Sequence, residues 1–184
     1  FDGATFNHNL TSQSDIHDTT SSAWTLTAIT ATAGQADAVG GTSATLLAHA
    51  GASGVSNLNG VGGTTPTFRT GHTYLVALDI KAGTASWFAP AIVSIGALNL
   101  ASYFNASTGT WGTVGADIDG TGVIDLGNGW YRAYYWFTNT TTDEGGQFRF
   151  YISEGDNDVS WASASGENIY VARRQVENVS GIVS

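Results

Sequence analysis

Apolar side chains take every second position in several segments of this chain. The segment 73–81 is one of them, and its alternate positions hold Tyr74, Val76, Leu78 and Ile80. The same period of two runs through 130–138 and 147–153. Successive side chains of a strand point to opposite faces of a sheet, so this period predicts β-strands. No window keeps the spacing of an amphipathic helix over three turns, and the strong helix formers are scarce.

Clusters of Gly, Asn, Ser and Asp separate the predicted strands. Strands are predicted at 24–29, 44–48, 73–81, 91–95, 98–104, 130–138, 147–153 and 168–176, with a short one near Trp111. Pro90 is expected to open the strand at 91–95. The segment 51–65 contains five glycines and no aromatic residue, which predicts a loop or a pair of poor strands. Residues 1–20 are polar and predict an extended or irregular N-terminal segment.

Eight to ten strands at a spacing of roughly 10–15 residues are typical of a sandwich or barrel. The sequence therefore predicts an all-β fold, a jelly-roll β-sandwich of two antiparallel sheets. The chain has 184 residues, and neither an internal repeat nor a linker divides it. We expect one domain over residues 1–184, since chains split into domains mainly above roughly 250 residues.

Charge excludes two classes of partner. The formal net charge is −9, and charged residues make up 11% of the chain. A polyanion would be repelled, so no nucleic-acid partner is predicted. There is neither a polybasic segment nor an apolar run of the roughly 20 residues that span a bilayer, so no membrane partner is predicted either. Cysteine is absent, which excludes a disulfide framework and thiolate metal sites.

The strands at 130–138 and 147–153 carry the candidate binding residues. Phe148, Phe150 and Ile152 form a wholly apolar set that must face the core. We expect the first strand to turn Tyr131, Tyr135 and Phe137 toward the same core. The opposite face then carries Arg132, Tyr134, Trp136, Gln147, Arg149 and Tyr151. Tyr and Trp rings stack on sugar rings, while Arg and Gln hydrogen-bond their hydroxyls, so this face is a candidate carbohydrate site. The alternative is an outer face covered by a loop or a neighbouring subunit.

Two local features concern turns and metals. The segment Gly127-Asn128-Gly129 predicts a tight turn, because Gly and Asn tolerate positive φ. Asp117, Asp119 and Asp125 are candidate ligands for a structural calcium ion, since carboxylates at alternate positions can converge on one hard cation. The full EF-hand spacing is absent, and an ordinary polar turn is the alternative.

Adjacent arginines close the last predicted strand. Arg173 and Arg174 should point to opposite faces, so one of them must meet the core, a covering loop or a carboxylate. Glu177 or an aspartate is the expected partner.

No catalytic motif is recognisable. The four histidines lack metal-ligand spacing, and no nucleophile elbow, zinc-protease motif or P-loop is present. Four glutamates that could in principle form a glycosidase pair have no context that would raise a pKa: Glu144, Glu154, Glu167 and Glu177. We therefore expect no catalytic residues and no enzymatic activity.

Six segments together resemble one family. In order they are NHNLTSQSDIHDTTSSAWT (7–25), ADAVGGTSATLL (36–47), TGHTYLVALDIKAG (70–83), YFNASTGTWG (103–112), LGNGWYRAYYWFT (126–138) and IYVARRQVE (169–177). The chain resembles the carbohydrate-binding-module-like jelly-roll domains of bacteriophage virion proteins and of secreted bacterial glycan-degrading enzymes. The Gly-Asn-Gly-Trp-Tyr-Arg junction is the most specific of these features. The family usually has a small residue, often Gly, where Arg173 or Arg174 stands.

The resemblance implies two functions. The first is a structural and adhesive domain on the virion surface, in a capsid decoration or a tail appendage. Such a domain would associate with virion proteins or with copies of itself and contact a polysaccharide weakly. The alternative is an extracellular carbohydrate-binding module of a secreted polysaccharide-degrading enzyme. The same residues serve both accounts.

Overall fold

The computed structural model describes residues 24–50, 54–60, 67–161 and 166–180. Within these ranges the regular secondary structure is β-strand throughout. In chain order the strands are β1 (Trp24–Thr27), β2 (Ile29–Gln35), β3 (Ala44–His49), β4 (Gly54–Gly60), β5 (Thr67–Phe68), β6 (Thr73–Ala82), β7 (Trp87–Val93), β8 (Ser102–Asn105), β9 (Thr110–Val114), β10 (Gly120–Gly127), β11 (Trp130–Thr138), β12 (Glu144–Gly145), β13 (Gln147–Ser153), β14 (Ser160–Trp161) and β15 (Asn168–Asn178). The N-terminal segment 1–20 lies outside the described residues. Of the predicted loop 51–65, the structure describes only β4.

Two antiparallel sheets stack to form the molecule. The front sheet has the strand order β10-β11-β6-β15-β3-β2. The back sheet has the order β1-β4-β13-β7-β8-β9, with β14 paired to β4, and β5 and β12 form a separate small ladder. The predicted all-β sandwich of two antiparallel sheets is therefore confirmed.

Strand pairing joins the two halves of the chain. β3 pairs with β15, β4 with β13, β6 with β11, and β7 with β8, so the first strands meet the last ones in reverse order. These eight strands are divided four to each sheet. This pairing is the one expected for the two Greek keys of a jelly roll.

The core lies between the inner faces of the two sheets. Its front wall includes the alternating apolar set of β6 and also Tyr135 and Phe137 of β11. Its back wall includes Phe148, Phe150 and Ile152 of β13, each 0% exposed. The rings of Phe148 and Phe150 lie 4.2 Å apart between centroids. The period of two therefore identified the inward side of β6, β11 and β13 correctly.

Three predicted strands differ from the structure, and one of them, 98–104, is a strand only from Ser102 onward, as β8. The segment 24–29 is interrupted at Ala28, whose φ of 50° breaks the extended backbone, and β1 and β2 join different sheets. Pro90 lies inside β7 and does not open it. β8 pairs with β7 only at Trp87 and Phe88. Beyond these two residues β8 does not pair with β7, so Pro90, which has no N–H, is tolerated there.

The two arginines of β15 lie in a β-bulge. The pairing register with β6 shifts between Ala172 and Gln175, and Arg173 has a φ of 47°. Arg174 is 2% exposed, and its guanidinium lies 5.8 Å from the ring centroid of Phe150 in the core. Arg173 lies on the outer side. The expected opposition of the two side chains is thus present, and of the two expected partners, Glu177 or an aspartate, it is the aspartate Asp79 that lies beside the outer Arg173.

No helix in the described part of the chain is long and apolar enough to cross a membrane.

Candidate functional site

The six predicted carbohydrate-binding residues do not share one face. β11 pairs with β10 and β6 in the front sheet, whereas β13 pairs with β4 and β7 in the back sheet. Both strands turn their apolar sides toward the same core from opposite directions. Their outward residues therefore lie on opposite surfaces of the sandwich, and the prediction of a single six-residue face is wrong. Arg132, Tyr134 and Trp136 belong to the front surface, and Gln147, Arg149 and Tyr151 to the back surface.

The front surface carries a pair of aromatic rings, which we call the aromatic platform. It consists of Tyr134 and Trp136, whose rings lie 6.4 Å apart between centroids at an interplanar angle of 25°. In the register of β10 and β11, Gly122 faces Tyr134 and Gly120 faces Trp136. A Cβ atom on either glycine would collide with the ring opposite. The two glycines therefore let the rings lie close against the sheet.

A buried carboxylate adjoins the platform. Asp79 is 1% exposed and accepts hydrogen bonds from Nε and Nη2 of Arg132 at 2.7 and 3.0 Å. The hydrogen bond to Asp79 raises the pKa of Arg132 above its ordinary value, against the opposing effect of burial. Nε of Arg173 lies 3.9 Å from the same carboxylate. Two guanidinium groups therefore share one negative charge.

A small pocket continues this surface beyond the arginines. Its volume is about 230 Å³, and Lys81 lines it together with Trp130 and Tyr170. Gln35 and Ala36 complete its lining. Lys81 pairs with Trp130 on one side and Tyr170 on the other, so the cation lies between two aromatic residues of the sheet. We call Arg132, Arg173 and Lys81 the basic strip.

The back surface carries a trough of about 430 Å³. Small or short residues on the outer side of β7 form one part of it, and Tyr103, Arg149 and Tyr151 are its larger members. The lining residues are Ala89, Ala91, Val93, Ala101, Tyr103, Arg149, Tyr151 and Val159. Arg149 pairs with Ala91 and Tyr151 with Ala89, so the long side chains of β13 stand beside the short ones of β7. This contrast in size produces the concavity.

Hydrogen bonds hold the trough arginine in place. Arg149 donates from Nε and Nη2 to Oε1 of Gln147 at 3.3 and 2.9 Å, and from Nη1 to the hydroxyl of Tyr151 at 3.4 Å. A guanidinium has five N–H donors, so it can hold these partners and still donate to a ligand. Burial raises the pKa of Tyr103, and the nearby Tyr151, Asp156 and Asp158 raise it further. Tyr103 therefore keeps its hydroxyl proton.

A third, polar cavity holds two of the glutamates that the sequence offered as a glycosidase pair. Glu154 and Glu167 line a space of about 380 Å³ together with Trp87, Asn105 and Ser153. Glu154 directly follows β13, and Glu167 directly precedes β15. Since β13 and β15 belong to different sheets, the stacking of the two sheets, and not pairing between these strands, brings the two residues to one cavity. No local sequence signal could have paired them.

The three candidate calcium ligands are used separately. Asp117 accepts a hydrogen bond from the backbone N–H of Asn99, and Asp119 accepts one from the hydroxyl of Thr138. Asp125 lies inside β10, six residue steps along the extended backbone from Asp119, which is roughly 20 Å. Within the described ranges, no group of three or more His, Cys, Asp or Glu side chains is placed to hold a metal ion. The structure thus does not bring this set together, because the predicted loop is largely a strand.

Comparison with known proteins yields a structural likeness only. The chain matches no protein-family model and no curated protein. It is similar in structure to the enzymatically active domain of tailspike protein 4 of bacteriophage CBA120, with a TM-score of 0.48 and 15% sequence identity. The match covers 93% of this chain and 21% of that one, so the chain spans about a fifth of the tailspike chain.

This comparison corrects one expectation. The sequence predicted a chain without enzymatic activity, whereas the tailspike domain that it resembles is described as enzymatically active. The prediction is therefore contradicted, and we do not retain it.

Proposed function

We propose that this chain is a glycan-binding β-sandwich domain of a phage tail appendage, with the back-surface trough as its binding site. The observation that carries the proposal is a concave surface of about 430 Å³ that combines two tyrosines with a guanidinium already held in position. Ligand sites are concave, have volumes of roughly 300–1,000 Å³, and combine mainly apolar walls with a few placed polar groups.

The chemistry of the trough suits a sugar ring. Pyranose rings present C–H faces that pack on the faces of tyrosine rings, and Tyr103 and Tyr151 both line the trough. Their ring hydroxyls and the Arg149 guanidinium supply donors for sugar oxygens. The alanines of β7 leave depth for the ring to enter. Because Gln147 and Tyr151 already orient Arg149, binding would order few additional side chains, which lowers its entropic cost.

The tail-appendage setting follows the family resemblance of the sequence and the likeness to a tailspike domain. In that setting the chain would be attached to other virion proteins at the particle surface, and the trough would contact glycans of the host. The trough itself is formed mainly by β7, β8 and β13.

The test is a glycan array probed with the purified chain, followed by titration of each retained glycan. Replacing Tyr151 by Ala removes one aromatic wall, and we expect the dissociation constant to rise roughly tenfold, as for the loss of one stacking contact. Val114→Ala is the control, because it removes an exposed apolar side chain that lines neither the trough nor the pocket of the front surface. Retention of no glycan, or equal affinity of wild type and a folded Tyr151→Ala variant for every glycan, would overturn the proposal.

A further inference from the structure

We infer that the front surface is a second carbohydrate site, and that it takes an acidic polysaccharide whose sugars carry carboxylate groups. This site consists of the aromatic platform, the basic strip and the Lys81 pocket. It lies on the sheet opposite to the trough and shares none of its residues. The inference therefore extends the proposed function and does not depend on binding in the trough.

Positive charge is concentrated on this surface. The whole chain has six Lys and Arg residues and a net charge of −9. Three of the six form the basic strip, and the carboxylate among them is the single Asp79. Arg132 binds both oxygens of Asp79, so that carboxylate is neutralised, while Arg173 stays 35% exposed beside it. A cationic strip on a strongly acidic chain indicates an anionic ligand.

The sheet places the platform and the strip in line. Trp136, Tyr134, Arg132 and Trp130 are successive outward residues of β11, and each is roughly 7 Å from the next. The line from Trp136 to the Lys81 pocket beside Trp130 is therefore roughly 20 Å long. Glu177 pairs with Leu75 at the Trp136 end and lies away from the pocket. A polymer laid along β11 would meet aromatic rings first and cations afterwards.

A carboxylated polysaccharide fits this order of groups. Its sugar rings can stack on Trp136 and Tyr134, whose planes are within 25° of each other. Its carboxylates can bind the exposed guanidinium of Arg173 and the ammonium of Lys81, and such charge-assisted hydrogen bonds are stronger than neutral ones. Single-stranded nucleic acid also uses rings and cations, and the net charge of −9 opposes both kinds of polyanion alike. We favour the polysaccharide because the proposed function assigns this domain to glycans, and oligo-dT tests the alternative.

The experiment uses three uronic-acid polymers as probes: polygalacturonate, alginate and hyaluronate. Fully methyl-esterified polygalacturonate is the matched neutral ligand, and oligo-dT tests the nucleic-acid alternative. Affinity is measured by calorimetry at 0.05 and 0.5 M NaCl. We expect at least one acidic polymer to bind, more weakly at high salt because exposed ion pairs are screened, and the methyl ester to bind at least about tenfold more weakly.

Variants locate the binding on the front surface. Arg173→Gln, Lys81→Gln and Trp136→Ala should each weaken binding of the acidic polymer roughly five- to tenfold. Arg69→Gln removes an exposed cation that lines neither surface site and should leave binding unchanged, whereas Arg149→Gln reports binding through the trough. Arg132 is left intact, because its loss would strand the buried Asp79. Thermal melting confirms that each variant folds.

Three outcomes would overturn the inference. They are binding of none of the acidic polymers, binding of oligo-dT at least as tightly as of any polymer, and loss of binding in Arg149→Gln with no change in the three front-surface variants. Failure of the trough proposal is recognised separately, through the Tyr151→Ala variant and the neutral glycans of the array.

Discussion

Asp79 and Arg132 form an ion pair with very unequal exposure. The carboxylate is 1% exposed, whereas the Arg132 side chain is 33% exposed. If Asp79 is removed, the Arg132 guanidinium can turn toward water. If Arg132 is removed, the buried Asp79 carboxylate cannot. The pair is therefore asymmetric, and removing the more exposed partner should do more damage than removing the buried one.

Arg132→Gln should destabilise the fold more than Asp79→Asn does. The first change leaves a buried charge with Arg173 alone, 3.9 Å away, and we expect a loss of about 3 kcal/mol in the free energy of unfolding. The second change leaves only a partly solvated guanidinium and should cost about half as much. Urea unfolding of both variants measures the difference. Equal losses, or the reverse order, would contradict the asymmetry.

At the scale of elements, the hairpin β10–β11 builds the platform. Its turn residues Asn128 and Gly129 have φ values of 54° and 77°, as a two-residue hairpin with the twist of the strands requires. The sequence predicted this turn correctly from its residue types. It missed β10 itself, because glycines at alternate outward positions break the apolar pattern of a strand. Those glycines are explained by the rings of β11 that lie against them.

Replacing Gly122 by Ala should displace the Tyr134 ring and destabilise the protein. The added Cβ would meet the ring, and overpacking of this kind costs about 1–3 kcal/mol. Gly155→Ala is the matched control, because nothing lies within 4 Å of its added Cβ, and it should change stability by less than about 0.5 kcal/mol. Thermal unfolding and near-UV circular dichroism follow the two variants. An unchanged melting temperature in Gly122→Ala would show that the ring does not rest on this strand.

At the scale of the whole molecule, the two halves of the chain depend on each other. β3 and β4 of the first half pair with β15 and β13 of the second half. Both sheets contribute to one cluster of buried side chains. Neither half can complete a sheet or cover its apolar face alone, so we expect the sandwich to fold as one cooperative unit.

Unfolding should therefore be two-state. Tryptophan fluorescence and far-UV circular dichroism should give the same midpoint in guanidinium, and the calorimetric enthalpy should equal the van't Hoff enthalpy. Phe150→Ala empties a fully buried position on the back wall and should lower the free energy of unfolding by about 3–5 kcal/mol in both signals together. Separate midpoints for the two signals would argue against a single unit.

The sequence predicted local features well because their causes are local. The inward side of β6, β11 and β13 follows from alternation along each strand, and the Asn128-Gly129 turn follows from which residues tolerate positive φ. The same alternation also selected the outward residues of β11 and β13. Their use as a binding surface stays a prediction, which the experiments above address.

The tertiary structure alone decided which surface each outward residue joins. Consecutive strands that each bury one face satisfy the same pattern whether they are neighbours in one sheet or lie across the core. Only pairing between residues distant in sequence distinguishes these cases. It divided the six candidate residues between two surfaces and brought Arg173 and Arg132 to one carboxylate, while the stacking of the two sheets placed Glu154 and Glu167 at one cavity. Alternation in the sequence shows which side of a strand is buried. The strands that pair with it depend on the packing of the whole chain.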